Sequence, residues 1–82
     1  MLIKDAEITD RFLIEEINTD EMEKDVLNII GIYEGLEVKI IGNGYLKGSL
    51  LVKNNDGLVI QINPYFTSKI NGSIVKEKRL IR

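Results

Sequence analysis

Gly31-Ile32-Tyr33-Glu34-Gly35-Leu36-Glu37-Val38-Lys39-Ile40-Ile41-Gly42-Asn43-Gly44 is the stretch on which the fold turns. Leu36, Val38 and Ile40 alternate with Glu37 and Lys39, the period of a strand with one buried and one wetted face. Glycines punctuate both ends. Two further short apolar runs follow, Ser49 to Lys53 and Leu58 to Ile62, separated by Asn55-Asp56-Gly57. Short apolar runs set off by tight-turn residues are the mark of a small, curled all-β unit. Beyond the Gly-rich loop 42–48, Leu50 and Val52 are expected to face inward. The Asp-Gly turn then leads into a return strand in which Leu58, Ile60 and Ile62 continue the core while Val59 and Gln61 face out.

Toward the N-terminus, Asp20 and Glu23 have the spacing of a capping box with Asp as the cap. Met22, Val26, Leu27 and Ile30 fall on one side of a 3.6-residue wheel, and Gly31 is placed to end the helix in the left-handed conformation. These signals predict a helix over residues 20–30. Its first turn holds Asp20, Glu21, Glu23 and Asp25, which suit the positive end of the helix dipole. Upstream, Arg11 to Ile17 reads as the first strand, with Phe12 and Ile14 on one face and Leu13 on the other, after the polar turn Thr9-Asp10. A lead-in from Ile3 to Ile8 contributes Ile3, Ala6 and Ile8.

Downstream, Pro64 stops the fourth strand and opens a short helical turn over Tyr65 to Ile70. Asn71-Gly72 reads as another turn and Ser73 to Lys76 as the closing strand. Residues 77–82, with Lys78, Arg79 and Arg82, read as a frayed basic tail. The expected fold is mainly β: a small, partly open SH3-like or OB-like barrel of five strands, with one α-helix between the first and second strands and a short helical turn before the last. At 82 residues the chain reads as a single domain, 1–82, with room for a modest core.

Composition narrows the chemistry. With no Cys and no His, the chain lacks a disulfide framework, thiolate chemistry, imidazole-based triads and the usual zinc ligands. The opening residues meet acids at once rather than building a signal peptide, and no run approaches the length of a membrane span, so a cytoplasmic location is expected. The net charge of −2 conceals a division: residues 1–37 hold 11 acids and 3 bases, and residues 38–82 hold 2 acids and 8 bases. An acidic helix and lysine-guarded strand edges account for that division, which can also steer a charged partner.

The segment Leu27 to Ile40 resembles the hallmark of FeoA-type proteins, the small cytosolic accessory component of bacterial ferrous iron uptake. In that family a helix ends in Leu-Gly-Ile or Leu-Gly-Leu, followed by Pro-Gly-Thr and a strand of alternating Val. Here Ile30-Gly31-Ile32, Glu34-Gly35-Leu36 and Glu37-Val38-Lys39-Ile40 stand in those places. Gly48-Ser49-Leu50-Leu51-Val52 is similar to the family's Gly-Pro-Leu strand, and Leu58 to Ile62 to its Ile-Ala-Leu-Arg strand. The likeness spans residues 3–76 and lies in spacing and residue type more than identity. Glu34 replaces one family proline, and Ile8-Thr9-Asp10 replaces the Pro-Gly turn before the first strand.

The resemblance implies an SH3-like docking module on the cytosolic side of a FeoB-type ferrous iron transporter, a membrane protein with a guanine-nucleotide-binding domain. Such a module acts by protein contact, without a cofactor and without chemistry of its own. The partner-binding residues expected are Tyr33, Gly35, Leu36, Tyr45 and Leu46, since a large apolar group in an exposed loop can anchor a partner.

Other classes have thinner support. For nucleic acid, Lys39, Lys47, Lys53 and Lys69 supply charge and Tyr65-Phe66 a stacking pair, against only five aromatics and a sequence pI of about 5.1. A proline-rich-peptide groove would need Tyr33, Tyr45 and Tyr65 to converge. An enzyme would need a carboxyl such as Glu15 or Glu16 in a dry pocket, and Gly42-Asn43-Gly44 lacks the ending of a phosphate loop. The acids at positions 15, 16, 20, 21, 23 and 25 do not follow the Ca²⁺-loop spacing, and no metal site is expected.

Overall fold

The Asp20 carboxylate accepts the Glu23 amide at 2.8 Å, and the helix α1, Glu21–Ile29, starts from that cap. The computed structural model describes residues 1–76, so the basic tail over 77–82 lies outside the described residues. Ile30 closes the helix and Gly31, at φ +98°, turns the chain out of it. The Gly31 amide donates to the Asn28 carbonyl at 3.0 Å and the Ile32 amide to the Leu27 carbonyl at 2.8 Å, the paired bonds of a Schellman ending. Leu27 and Ile32, on either side of that turn, are both fully buried.

Five strands form one antiparallel sheet: β1 Arg11–Ile17, β2 Glu37–Asn43, β3 Leu50–Lys53, β4 Val59–Ile62 and β5 Ile70–Ile74. Their order is β4-β3-β2-β1-β5, an open SH3-like arrangement. A 3₁₀ turn over Ile3–Asp5 precedes β1, and a short helix α2, Pro64–Thr67, joins β4 to β5 with Pro64 at its first turn and Asn63 as its cap. The inward faces supply Phe12, Ile14, Val38, Ile40, Leu50, Val52, Ile60 and Ile62, closed by Ile3, Ile17, Leu27, Ile32, Leu36 and Ile70. Arg11 donates to Glu37 at 2.7 Å and reaches the Asn55 side chain at 3.3 Å, tying β1 to β2 and to the β3–β4 turn.

The imperfect alternation of the first strand has a cause. Its pairing with β5 shifts between Ile14 and Glu16, so Glu15 and Glu16 are both exposed before Ile17 returns to the core. A second shift between Ile40 and Gly42 bends β2 and carries the strand on to Asn43, beyond the glycine at which the loop was expected to begin.

Four expectations are corrected. Of the apolar residues expected to bury on α1, only Leu27 does so; Met22, Val26 and Ile30 are exposed, because this nine-residue helix meets the barrel along a single row. Leu58 is 57% exposed rather than core: Asn54 Oδ1 accepts the Asp56 and Leu58 amides, so the turn widens and pairing begins at Val59 opposite Lys53. Ile8 is exposed, since the contact there is the Thr9 amide on the Ile40 carbonyl at 2.7 Å. Finally, the closing strand begins at Ile70, so Asn71-Gly72 lies inside β5 rather than turning the chain. Gly72 sits there because a Cβ would overlap the Leu13 carbonyl oxygen and come within 2.6 Å of the Phe12 ring.

Candidate docking surface

Two loops carry the residues singled out for partner contact. The first follows α1. Its backbone is fixed to β1 by the Gly35 amide on the Ile14 carbonyl at 2.7 Å and the Ile14 amide on the Leu36 carbonyl at 2.8 Å. Gly35 has φ +97°, and Glu34 accepts the Ile17 amide at 2.9 Å. Tyr33 projects from this loop at 48% exposure, whereas Leu36 is buried in the core and offers no surface to a partner.

The second loop, residues 44–49, is held by several hydrogen bonds. The Gly44 amide donates to the Ser49 carbonyl at 2.9 Å, and the Ser49 amide and hydroxyl both donate to the Leu46 carbonyl at 3.0 and 2.5 Å. The Tyr45 amide reaches Gln61 Oε1 at 3.1 Å, and Thr67 Oγ1 donates to the Gly48 carbonyl at 3.0 Å. Ser49 and Thr67 are buried, so the loop rests on satisfied polar groups beside α2. What it displays is apolar: Tyr45 at 94% exposure and Leu46 at 55%. Beside it lies a cleft of about 370 Å³ lined by Asn43, Gly48, Ser49, Leu50, Pro64, Thr67 and Ser68, with Lys4 its one charged side chain.

The two loops hang from different parts of the fold, one from β1 and α1, the other from β4 and α2. Tyr65 belongs to a third cluster. Its ring meets Phe66 edge-on with centroids 5.1 Å apart, and Lys69 Nζ lies 5.1 Å from its centroid. The Glu23 carboxylate, as hydrogen-bond acceptor beside the phenol, pushes the Tyr65 hydroxyl above its ordinary pKa, with Asp20 adding to the effect. This is the one ring–ring contact among the described residues, and Tyr33 and Tyr45 take no part in it.

Among the described residues no group of three or more His, Cys, Asp or Glu side chains could hold a metal ion. No helix there is long and apolar enough to cross a membrane.

No family model and no curated protein sequence matches the chain. Solved structures do. The crystal structure of an iron uptake regulatory protein (FeoA) superposes with a TM-score of 0.77 at 11% identity, over 92% of this chain and 96% of the other. FeoA protein from Chlorobium tepidum gives 0.79 at 16% identity, over 96% and 74% of the two chains. A FeoA-like protein from Clostridium acetobutylicum gives 0.77 at 15% identity, over 99% and 93%. The chain has the FeoA-type fold.

Proposed function

We propose that this chain, built on the FeoA-type fold, is a small cytoplasmic accessory protein of bacterial ferrous iron uptake that docks on the cytosolic side of a FeoB-type GTP-dependent transporter. It acts by contact rather than by chemistry, with no cofactor of its own, and the iron is the transporter's cargo. The observation that carries this reading is the likeness to three FeoA structures across 92% to 99% of the chain. The 44–49 loop supports it, because a rigid backbone presenting Tyr45 and Leu46 loses little conformational entropy on meeting a partner. Tyr33 and Gly35 form a second contact region of the same docking role.

The test is an NMR titration of the isotope-labelled chain with the intact cognate transporter in nanodiscs, at low and high salt. Broadening confined to residues 33–36 and 42–48, with Tyr45→Ala and Leu46→Ala each weakening binding about tenfold, is the expected result. Unchanged spectra at saturating transporter would reject the docking role.

A further inference from the structure

The outward side of α1 carries a stripe that the fold leaves unused. Met22 is 76% exposed, Val26 48%, Ile29 85% and the capping residue Ile30 41%. Spaced i, i+4, i+7 and i+8, they share one face of the helix, turned away from the core that Leu27 enters. Apolar side chains exposed singly are ordinary. A contiguous set on a nine-residue helix is a patch of the kind that marks an interaction surface. The four-then-three spacing of Met22, Val26 and Ile29 is that of a helix–helix seam.

The rim of the stripe selects its occupant. Asp25 stands one turn from both Met22 and Ile29, with Glu21 one turn further along the same edge, and Glu23 borders Val26 on the other side. Glu21 and Asp25 make no ion pair among the described residues, while Lys24, the one base of the helix, is directed to Glu34 at 3.8 Å. A second copy seated stripe against stripe would bring carboxylates against carboxylates, and an anionic lipid surface would meet the same repulsion. A segment whose apolar side chains are flanked by Lys or Arg satisfies the stripe and the rim together.

We propose that the Met22–Val26–Ile29 face of α1 docks a basic amphipathic helix of a partner protein, apolar seam against apolar seam, with its Lys or Arg residues opposite Glu21 and Asp25. This surface is borne by α1, apart from the 44–49 loop, and a peptide probe tests it without the transporter.

The experiment titrates the labelled full chain with a synthetic Leu-Lys peptide designed as an amphipathic helix. A scrambled peptide of the same composition, a Leu-Glu counterpart and phosphatidylglycerol vesicles serve as the other arms. The expected result is amide shifts centred on residues 21–30 and binding about tenfold tighter than either control peptide, weakening with salt. Ile29→Ser should reduce that affinity about tenfold, and Met22→Ser repeats the test should the first variant lose its helical circular dichroism. Glu21→Lys combined with Asp25→Lys should transfer preference to the Leu-Glu peptide. Shifts elsewhere, equal binding of the scrambled peptide, stronger binding to vesicles, or self-association abolished by Ile29→Ser would each overturn the proposal.

Discussion

Glu34 and Ile17 are joined by a hydrogen bond of 2.9 Å from the Ile17 amide to the Glu34 carboxylate, so one side chain fixes the loop after α1 to the end of β1. At this position the FeoA resemblance places a proline, which would stiffen the turn through its ring. The carboxylate secures the turn by reaching across to a strand instead. Glu34→Ala should lower stability by about 1 kcal/mol, read from urea unfolding, with Glu34→Gln keeping most of it. The ion pair with Lys24, half exposed and 3.8 Å long, should contribute little, so added salt should barely change the difference. Equal stability of Glu34→Ala and the parent would show that the loop is held by its backbone bonds alone.

Gly72 and Gly42 predict opposite outcomes for the same added methyl. At Gly72 a Cβ would run into the Leu13 carbonyl oxygen and the Phe12 ring, whereas at Gly42 nothing lies within 4 Å. Gly72→Ala should therefore cost about 3 kcal/mol or more, or prevent folding, while Gly42→Ala should stay within about 0.5 kcal/mol of the parent. Thermal melts of the two variants decide it, and similar melting temperatures would refute the close approach of β5 to β1.

Leu27 and Ile29 sit two residues apart on α1 and divide its roles. Leu27 is fully buried and Ile29 is 85% exposed. Leu27→Ala should cost about 2–5 kcal/mol, and Ile29→Ser should change stability by less than about 0.5 kcal/mol. A large loss at position 29 would mean that the helix sits on the barrel in a different rotation.

Removing the cap should be felt at once in the same helix. Asp20→Ala loses the acceptor of the Glu23 amide and should cost about 1 kcal/mol, with Asp20→Asn nearly neutral. Hydrogen exchange at residues 21–24 would report the fraying directly, and unchanged protection would refute the role of the cap.

Tyr65 predicts a pH response. The Glu23 carboxylate favours the protonated phenol, so the folded-state pKa lies above the unfolded value. The stabilisation is fully present below the unfolded tyrosine pKa of about 10 and is lost as pH rises through the higher folded value. In an ultraviolet titration Glu23→Gln should move one tyrosinate transition to lower pH, and Tyr65→Phe should delete that transition. A profile unchanged by Glu23→Gln would refute the contact.

Most of this fold was legible where one residue type has one physical job. Asp20 and Gly31 bracket α1 because a cap needs an acceptor and a left-handed exit needs no Cβ, and the helix runs between them. Leu50, Val52, Ile60 and Ile62 face inward as period-two alternation requires. The misreadings fall where tertiary contacts overrule local pattern. Asn71-Gly72 has the composition of a turn, yet the glycine serves a close strand approach visible only once β1 lies beside it. Leu36 reads both as the first inward residue of the alternating run and as a partner contact; the turn at Gly35 sends it into the core, so only the first of these holds. The bulge after Ile14 leaves only a broken alternation behind, and the wheel of α1 counts apolar positions without saying which side meets the barrel. Tyr45 and Leu46 were legible as loop residues, while the bonds from Gln61 to the Tyr45 amide and from Thr67 to the Gly48 carbonyl that help set the loop backbone come from distant parts of the sequence.

The residues before the 3₁₀ turn also shape what the sheet can do. Leu2 bridges to Asn71, the Met1 carbonyl accepts the Gly72 amide at 2.8 Å, and the Met1 ammonium donates to the Gly72 carbonyl at 2.8 Å. The Asn71–Gly72 stretch of the β5 rim is therefore already taken by the chain itself, and β4 stands at the other end of the sheet order. Strand-by-strand growth needs two open rims per molecule. With Asn71 and Gly72 already taken, the β5 rim offers a neighbour less free backbone than β4 does, so rim-to-rim joining favours the β4 side.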